Sequence, residues 1–449
     1  MNSQETTSTI AAIATPIGVG AVSMIRLSGP NAIEVAKQAT ANKPSNIKAR
    51  FAHYCSIKST SGEIIDDGLM TVFNNPNSYT GEDTVEFTGH GGILVTREVL
   101  QRLIECGAKP AEPGEFTRRA FLNGKLDLTQ AEGVMDVISA QTRLALRAAH
   151  SQLEGALGKK TTSARDDLLE SLAHLEAYID FPEEDIDPKT GDLLKSKIQE
   201  VLNTVDALLA TADQGRILRE GVRTVIYGEP NVGKSSLLNK LLGFERAIVS
   251  DIAGTTRDTI EETINLDGIP IKLIDTAGVR EANDTIEAEG IQRTVKQIES
   301  ADLLLEVFDA NTKKPEKSTN DHLDTKRMVI LNKSDLGEHA SWANTEAVRL
   351  SCTTHNGFDR LGEAIRELLH FGEMDWGEHA VAINARHQES LNRARESLTT
   401  ALQLLRDGTD TEIVAIDLRE ALDALGEIPG KVDTEDLLGV IFSSFCIGK

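Results

Sequence analysis

Residues 222–239 read VRTVIYGEPNVGKSSLLN, and no other stretch restricts the fold so far. An apolar run, Val225-Ile226-Tyr227, leads into Gly228-Glu229-Pro230-Asn231-Val232-Gly233-Lys234-Ser235, and a Leu-rich helical pattern follows. This is strand, glycine loop and helix, with the loop matching GxxxxGK[ST]. Gly228 and Gly233 let successive backbone N–H groups point into one concavity, and the new helix adds the positive end of its dipole. Such a loop cradles phosphate. Lys234 is expected to reach the β- and γ-phosphates of a nucleoside triphosphate, and Ser235 to offer its hydroxyl to magnesium. Asn231, Val232, Gly233 and Ser236 complete the wall of that site.

Three further motifs follow in order. Ser250-Asp-Ile252-Ala-Gly254-Thr255-Thr256 has the spacing of a switch whose threonine closes on magnesium when the γ-phosphate is present. Two strands joined at Asp267-Gly268, a strong hairpin signal, lead to Asp275-Thr276-Ala277-Gly278. Asp275 is placed to hold a magnesium-bound water, and the Gly278 N–H to meet the γ-phosphate. After strands at Leu303–Phe308 and Met328–Leu331 comes Asn332-Lys333-Ser334-Asp335, and Ser351 follows one more strand. A carboxylate at Asp335 accepts two hydrogen bonds from guanine that adenine cannot offer, so a mismatch leaves it unpaired. The four motifs, each at the end of a strand, predict a GTPase of doubly wound α/β topology. One part is missing. Val279 stands where small GTPases commonly carry a water-orienting Gln. Glu281, Glu287 and Glu289 lie just downstream, and the Asn231 carbonyl could coordinate a monovalent cation beside the phosphates.

A chain of 449 residues holds two or three domains. The net charge of −23 argues against a broad, sequence-independent grip on nucleic acid, which runs on Lys and Arg. No run approaches the length of a membrane span, and MNSQETTSTI lacks the regions of a signal peptide. Cys55, Cys106, Cys352 and Cys446 lie far apart without CxxC spacing, which fits a reducing cytoplasm.

The N-terminal third alternates short apolar runs with Gly and Pro, predicting an α+β domain with strands near 52–57, 68–73 and 83–87. Gly89-His90-Gly91-Gly92 opens a helix at 93–106, and His90 reads as a turn residue. From Leu128 to about Ala212 the pattern is helical, with Leu168, Leu169, Leu172, Leu175 and Ile179 on one stripe. An acidic break at 180–188 reads as a solvated loop. A second helical region, 385–445, carries Ile413, Ile416, Leu418, Leu422 and Leu425 at similar spacing. Domain termini commonly lie close together. The expected division is therefore an N-terminal domain over 1–122, and a helical domain formed by 123–220 and 376–449 with a G domain, 221–375, inserted in it.

With GEPNVGKSS, DIAGTTRD, DTAGVRE, NKSD and the terminal FCIGK, the chain resembles the MnmE (TrmE) family of tRNA-modification GTPases over essentially its whole length. The segments ATPIGVGAVSMIRLSG, SYTGEDTVEFTGHGG and PGEFTRRAFLNGKLDLTQAE look like the same family. The resemblance implies a folate-binding N-terminal domain that dimerises. It implies a cytoplasmic homodimer that works with the flavoprotein MnmG (GidA), the FAD belonging to the partner. Together they install an aminomethyl or carboxymethylaminomethyl group on the wobble uridine of certain tRNAs, using a tetrahydrofolate derivative as one-carbon donor. Folate contacts then fall on Arg26, Glu86, Lys125 and Lys449. A potassium ion held at Asn231, Ser250, Ile252 and Thr255 takes the place of an arginine finger, and Glu287 orients the water. Magnesium falls to Ser235 and Thr256. Cys446 reads either as a buried small apolar residue or as a reactive thiol. A ribosome-assembly GTPase acting as a GTP-gated RNA-binding module is the competing reading. The acidic charge and the FCIGK ending tell against it. A GTPase scaffold that polymerises is a third, which nothing in the sequence calls for.

Overall fold

By contact the chain divides into Met1–Met135 with Leu425–Lys449, and Asp136–Ala424. The computed structural model describes residues 8–41, 47–180, 190–243, 262–274, 301–315, 325–371, 381–408, 410–431, 435–443 and 445–449.

In the first unit a six-stranded sheet has the order β3-β4-β5-β2-β1-β6. The strands are β1 (Ile10–Ile13), β2 (Val22–Ser28), β3 (Ala52–Lys58), β4 (Ile64–Phe73), β5 (Thr84–His90) and β6 (Lys109–Pro110). Neighbours are antiparallel except β1 and β6. Side-chain alternation along β2 sends Ile25 and Leu27 to one face, where they are buried with Val85, Phe87 and the helix residues Val99 and Leu103. Each such buried aliphatic side chain is worth roughly 1.5–3 kcal/mol. The other face carries Arg26, paired in register with Glu86. The chain's end returns to this unit. Phe442 and Phe445 pack with Leu128 and Ala131. Gly448, at φ 98°, lies so close to β1 that a Cβ would come within 2.5 Å of the Ile13 carbonyl oxygen.

The second unit contains a six-stranded sheet of order β12-β11-β10-β7-β9-β8. These strands are β7 (Val222–Tyr227), β8 (Glu262–Leu266), β9 (Ile269–Leu273), β10 (Leu303–Asp309), β11 (Lys326–Asn332) and β12 (Val348–Arg349). All pairs are parallel except the β8–β9 hairpin, which turns at Asp267-Gly268 as the sequence predicts. A central parallel strand is covered on both faces and so reads as a continuous apolar run. Leu303, Leu304, Leu305 and Val307 of β10 are accordingly all buried. Because β7 has β9 on one side and β10 on the other, the order reverses there, and the loop after β7 opens at the crevice.

The core beneath this sheet runs on into Ala145, Ala148, Ile217 and Leu218 of the helices Arg143–Leu153 and Ala212–Glu220. Helices Ala156–Asp180, Thr190–Leu209, Ala385–Asp407 and Thr411–Glu427 confirm the helical reading of both flanks. Their stripes differ in detail. Leu169, Ile413 and Ile416 are exposed, while Val414, Ala415, Leu418 and Ala421 are buried. The inward stripe of Thr411–Glu427 mixes Leu418 and Leu425 with Val414 and alanines, and the two isoleucines lie off it. No helix among the described residues is long and apolar enough to cross a membrane.

Candidate nucleotide-binding site

The functional loops of the second unit leave the C-terminal ends of parallel strands, which gathers them at one edge of the sheet. Gly228 follows β7 at φ 153°, and Gly233 caps the helix Lys234–Leu241 at φ 100°. A Cβ at Gly228 would collide with the Val307 carbonyl oxygen, and one at Gly233 with the Asn332 amide. The loop therefore fits a phosphate group for the reason the glycines suggest: nothing larger leaves room for backbone N–H groups to converge. Lys234 lies across the loop, its ammonium donating to the Gly228 oxygen at 2.9 Å and the Glu229 oxygen at 2.8 Å. Burial holds its pKa below the ordinary lysine value. A phosphate would relieve that penalty with opposite charge.

Asn332, at the end of β11, is 2% exposed and ties three loops together. Its amide donates to the Val232 oxygen at 2.9 Å, and its side-chain oxygen accepts from the Cys352 N–H at 3.2 Å. Lys333, in left-handed backbone, donates from Nζ to the Asn231 oxygen at 2.9 Å and to Asp309 Oδ2 at 2.8 Å. Asp335 lies exposed in the short turn Ser334–Leu336, open to an incoming base. Ser351 is fully buried, and its hydroxyl accepts from the Thr354 N–H at 3.2 Å. Next to it, burial pushes the Cys352 thiol up, against the opposing influence of Lys240 and the Asn332 contact. Asn231, Ser235 and Ser236 are exposed along the loop, and Val232 is buried beneath it.

A second constellation occupies the first unit. Arg26 donates from Nε and Nη2 to Glu86 Oε1 at 2.9 and 2.8 Å, and from Nη1 to the Gly448 oxygen at 3.4 Å. Its guanidinium stands over the rings of Tyr79 and Phe116, 5.6 and 5.8 Å from their centroids. Burial and the nearby Arg26 charge hold the Lys449 ammonium below its usual pKa, against Cys446 and Glu86, which raise it. Arg26, Glu86 and Lys449 are thus brought together. Lys125 reaches the Pro76 oxygen instead, at 3.1 Å, with its stem beside Gly81. Cys446 is exposed, which removes the buried apolar reading.

The family model described as "GTP-binding protein TrmE N-terminus" matches residues 9–125, and that of the MnmE helical domain matches residues 128–446. The chain belongs to the MnmE family. Among curated MnmE proteins, each named "tRNA modification GTPase MnmE", that of Akkermansia muciniphila is 53% identical over 98% of this chain and 99% of its own. Those of Natranaerobius thermophilus and Aquifex aeolicus are each 44% identical, covering 99% and 98% of this chain and 100% and 99% of their own. The crystal structure of the G domain of the T. maritima FeoB iron transporter aligns with 32% of this chain and 96% of its own length at 26% identity, with a TM-score of 0.23. That score carries no weight, and the fold rests on the strand order above.

Several MnmE-type expectations fall on residues outside those described: Ser250, Ile252, Thr255, Thr256, Asp275, Thr276, Ala277, Gly278 and Glu287, together with most of the acidic break. Two features of this MnmE chain escape sequence reasoning. Asp309 is one, and its only signal is its place at the end of an apolar strand. The other is Arg119, 3% exposed among Glu82, Glu115 and the Ser8 oxygen.

Proposed function

We propose that this chain binds and hydrolyses GTP, and that the hydrolysis serves the modification of tRNA at the wobble uridine. The observation that supports this best is the single knot of contacts from Asn332 and Lys333 to the glycine loop. It joins the base-reading loop to the phosphate loop and sets both at the crevice of a parallel sheet. Catalysis by such a site is positioning plus electrostatic stabilisation.

In this reading Lys234 and the loop amides bind the β- and γ-phosphates, and Asp335 with Ser351 receives guanine. Asp275, Thr276, Ala277 and Gly278 line the γ-phosphate side. Ser235 and Thr256 would hold magnesium, whose charge steadies the phosphates. Asn231, Ser250, Ile252 and Thr255 would hold potassium, supplying the charge an arginine finger gives elsewhere. Glu287 aligns the attacking water. Residues 221–375 act as the G domain, 123–220 with 376–449 as the helical domain, and 1–122 as the folate-binding, dimerising domain. Arg26, Glu86, Lys125 and Lys449 take up a tetrahydrofolate derivative. The arginine fork and two ammonium groups suit its carboxylates and ring oxygens. The protein then works in the cytoplasm as a homodimer, with the flavoprotein MnmG adding an aminomethyl or carboxymethylaminomethyl group to uridine C5.

The cation role is tested by GTP turnover at equal ionic strength in potassium and in sodium. Potassium is expected to raise turnover several-fold, about the effect of one well-placed charge. Asn231→Ala abolishes the gain while nucleotide still binds. Equal rates in the two salts would contradict the assignment.

A further inference from the structure

Behind the phosphate loop stands a carboxylate to which none of the motifs gives a task. We propose that Asp309 is a positioning residue of the nucleotide site: through Lys333 it holds the phosphate loop at Asn231 in its working conformation.

Asp309 is the last residue of β10 and lies in register with Asn332 of β11. Its Oδ1 accepts from the Asn311 N–H at 3.0 Å, which fixes the carboxylate, and its Oδ2 accepts from Lys333 Nζ at 2.8 Å. The same ammonium donates to the Asn231 carbonyl at 2.9 Å. The lysine and the loop residue it holds are both left-handed without being glycine, Lys333 at φ 61° and Asn231 at φ 66°. L-residues adopt that conformation only with support, and Asn tolerates it better than most.

An exposed ion pair would deserve little weight, since surface pairs contribute almost nothing. This pair differs in two respects. The Asp309 side chain is 17% exposed, so its bond to the ammonium is partly shielded from water. The ammonium also has a second bond, to the loop whose shape decides phosphate binding. Lysine is a flexible point charge on a long stem, and a fixed acceptor is what turns it into a strut. Asp309 supplies that acceptor without touching nucleotide itself.

The proposal rests on the nucleotide-site reading and is independent of the cation. It is tested on the full chain by the affinity for a fluorescent GDP analogue in sodium buffer, for wild type, Asp309→Asn, Lys333→Met and the double variant. Asp309→Asn is expected to weaken GDP binding about tenfold, the effect of losing one charge-assisted bond. Asp309→Ser is the second variant, with the same expectation. In the double variant Asp309→Asn adds nothing to the loss from Lys333→Met, because the carboxylate acts only through that ammonium. A general loss of structural integrity would instead add to it. Unchanged affinity in both Asp309 variants, or additive losses in the double variant, would overturn the positioning role. Failure of the wild type to bind GDP would overturn the nucleotide-site reading beneath it.

Discussion

Asp66 and His90 form a pair that illustrates how one buried carboxylate sets a residue's chemistry. The Asp66 side chain, 6% exposed, accepts from the His90 backbone N–H at 2.8 Å and contacts the ring Nδ1 at 2.6 Å. His90 ends β5 with its ring in solvent, so it is a strand residue with a partner rather than a simple turn residue. The Asp66 hydrogen bond first, then the Asp66 charge, raise its pKa, Asp67 adds to this, and slight desolvation opposes it. A histidine whose folded pKa is raised contributes stability that is fully present below its unfolded value of about 6.5. That contribution is lost as pH rises through the folded value. The unfolding midpoint, followed from pH 6 towards alkaline conditions, should therefore fall less in His90→Gln than in wild type. Parallel profiles for the two proteins would show that the pair does not couple to folding. No local pattern announces this contact, because Asp66 lies 24 residues away on the neighbouring strand.

Elements are placed here by local patterns and tied by contacts that local patterns do not reveal. The strand–loop–helix at 222–241, the hairpin at Asp267-Gly268 and the apolar β10 all follow from alternation, turn chemistry and burial on two faces, which neighbouring residues encode. The loops after β7 and β11 were equally legible, since each follows a strand. Asp309 and Arg119 were not, because their roles depend on register between distant strands. The stripe on Thr411–Glu427 was legible only in part: Leu418 and Leu425 are buried as their spacing predicts, whereas Ile413 and Ile416 lie outside and Val414 with alanines takes the inward positions beside the leucines.

The helix Glu115–Leu122 shows what such a tie is worth. Arg119 donates to Glu115 at 2.7 Å, to Glu82 at 3.2 Å and to the Ser8 oxygen at 2.8 Å. Removing one partner of a buried pair leaves an uncompensated charge, at a cost of about 3–5 kcal/mol. Arg119→Met should thus lower stability by about that amount in urea unfolding. A loss below about 1 kcal/mol would mean the cluster behaves as a surface pair.

Across the whole molecule a net charge of −23 meets a polyanionic tRNA. Sequence-independent attraction to tRNA through counterion release needs basic surface. Recognition of tRNA has therefore to come from local contacts rather than from the overall charge. The direct test is nucleoside mass spectrometry of total tRNA from cells lacking this protein. The expected result is loss of the C5-substituted wobble uridine, restored by the wild-type gene. Full modification in the deleted cells would contradict it.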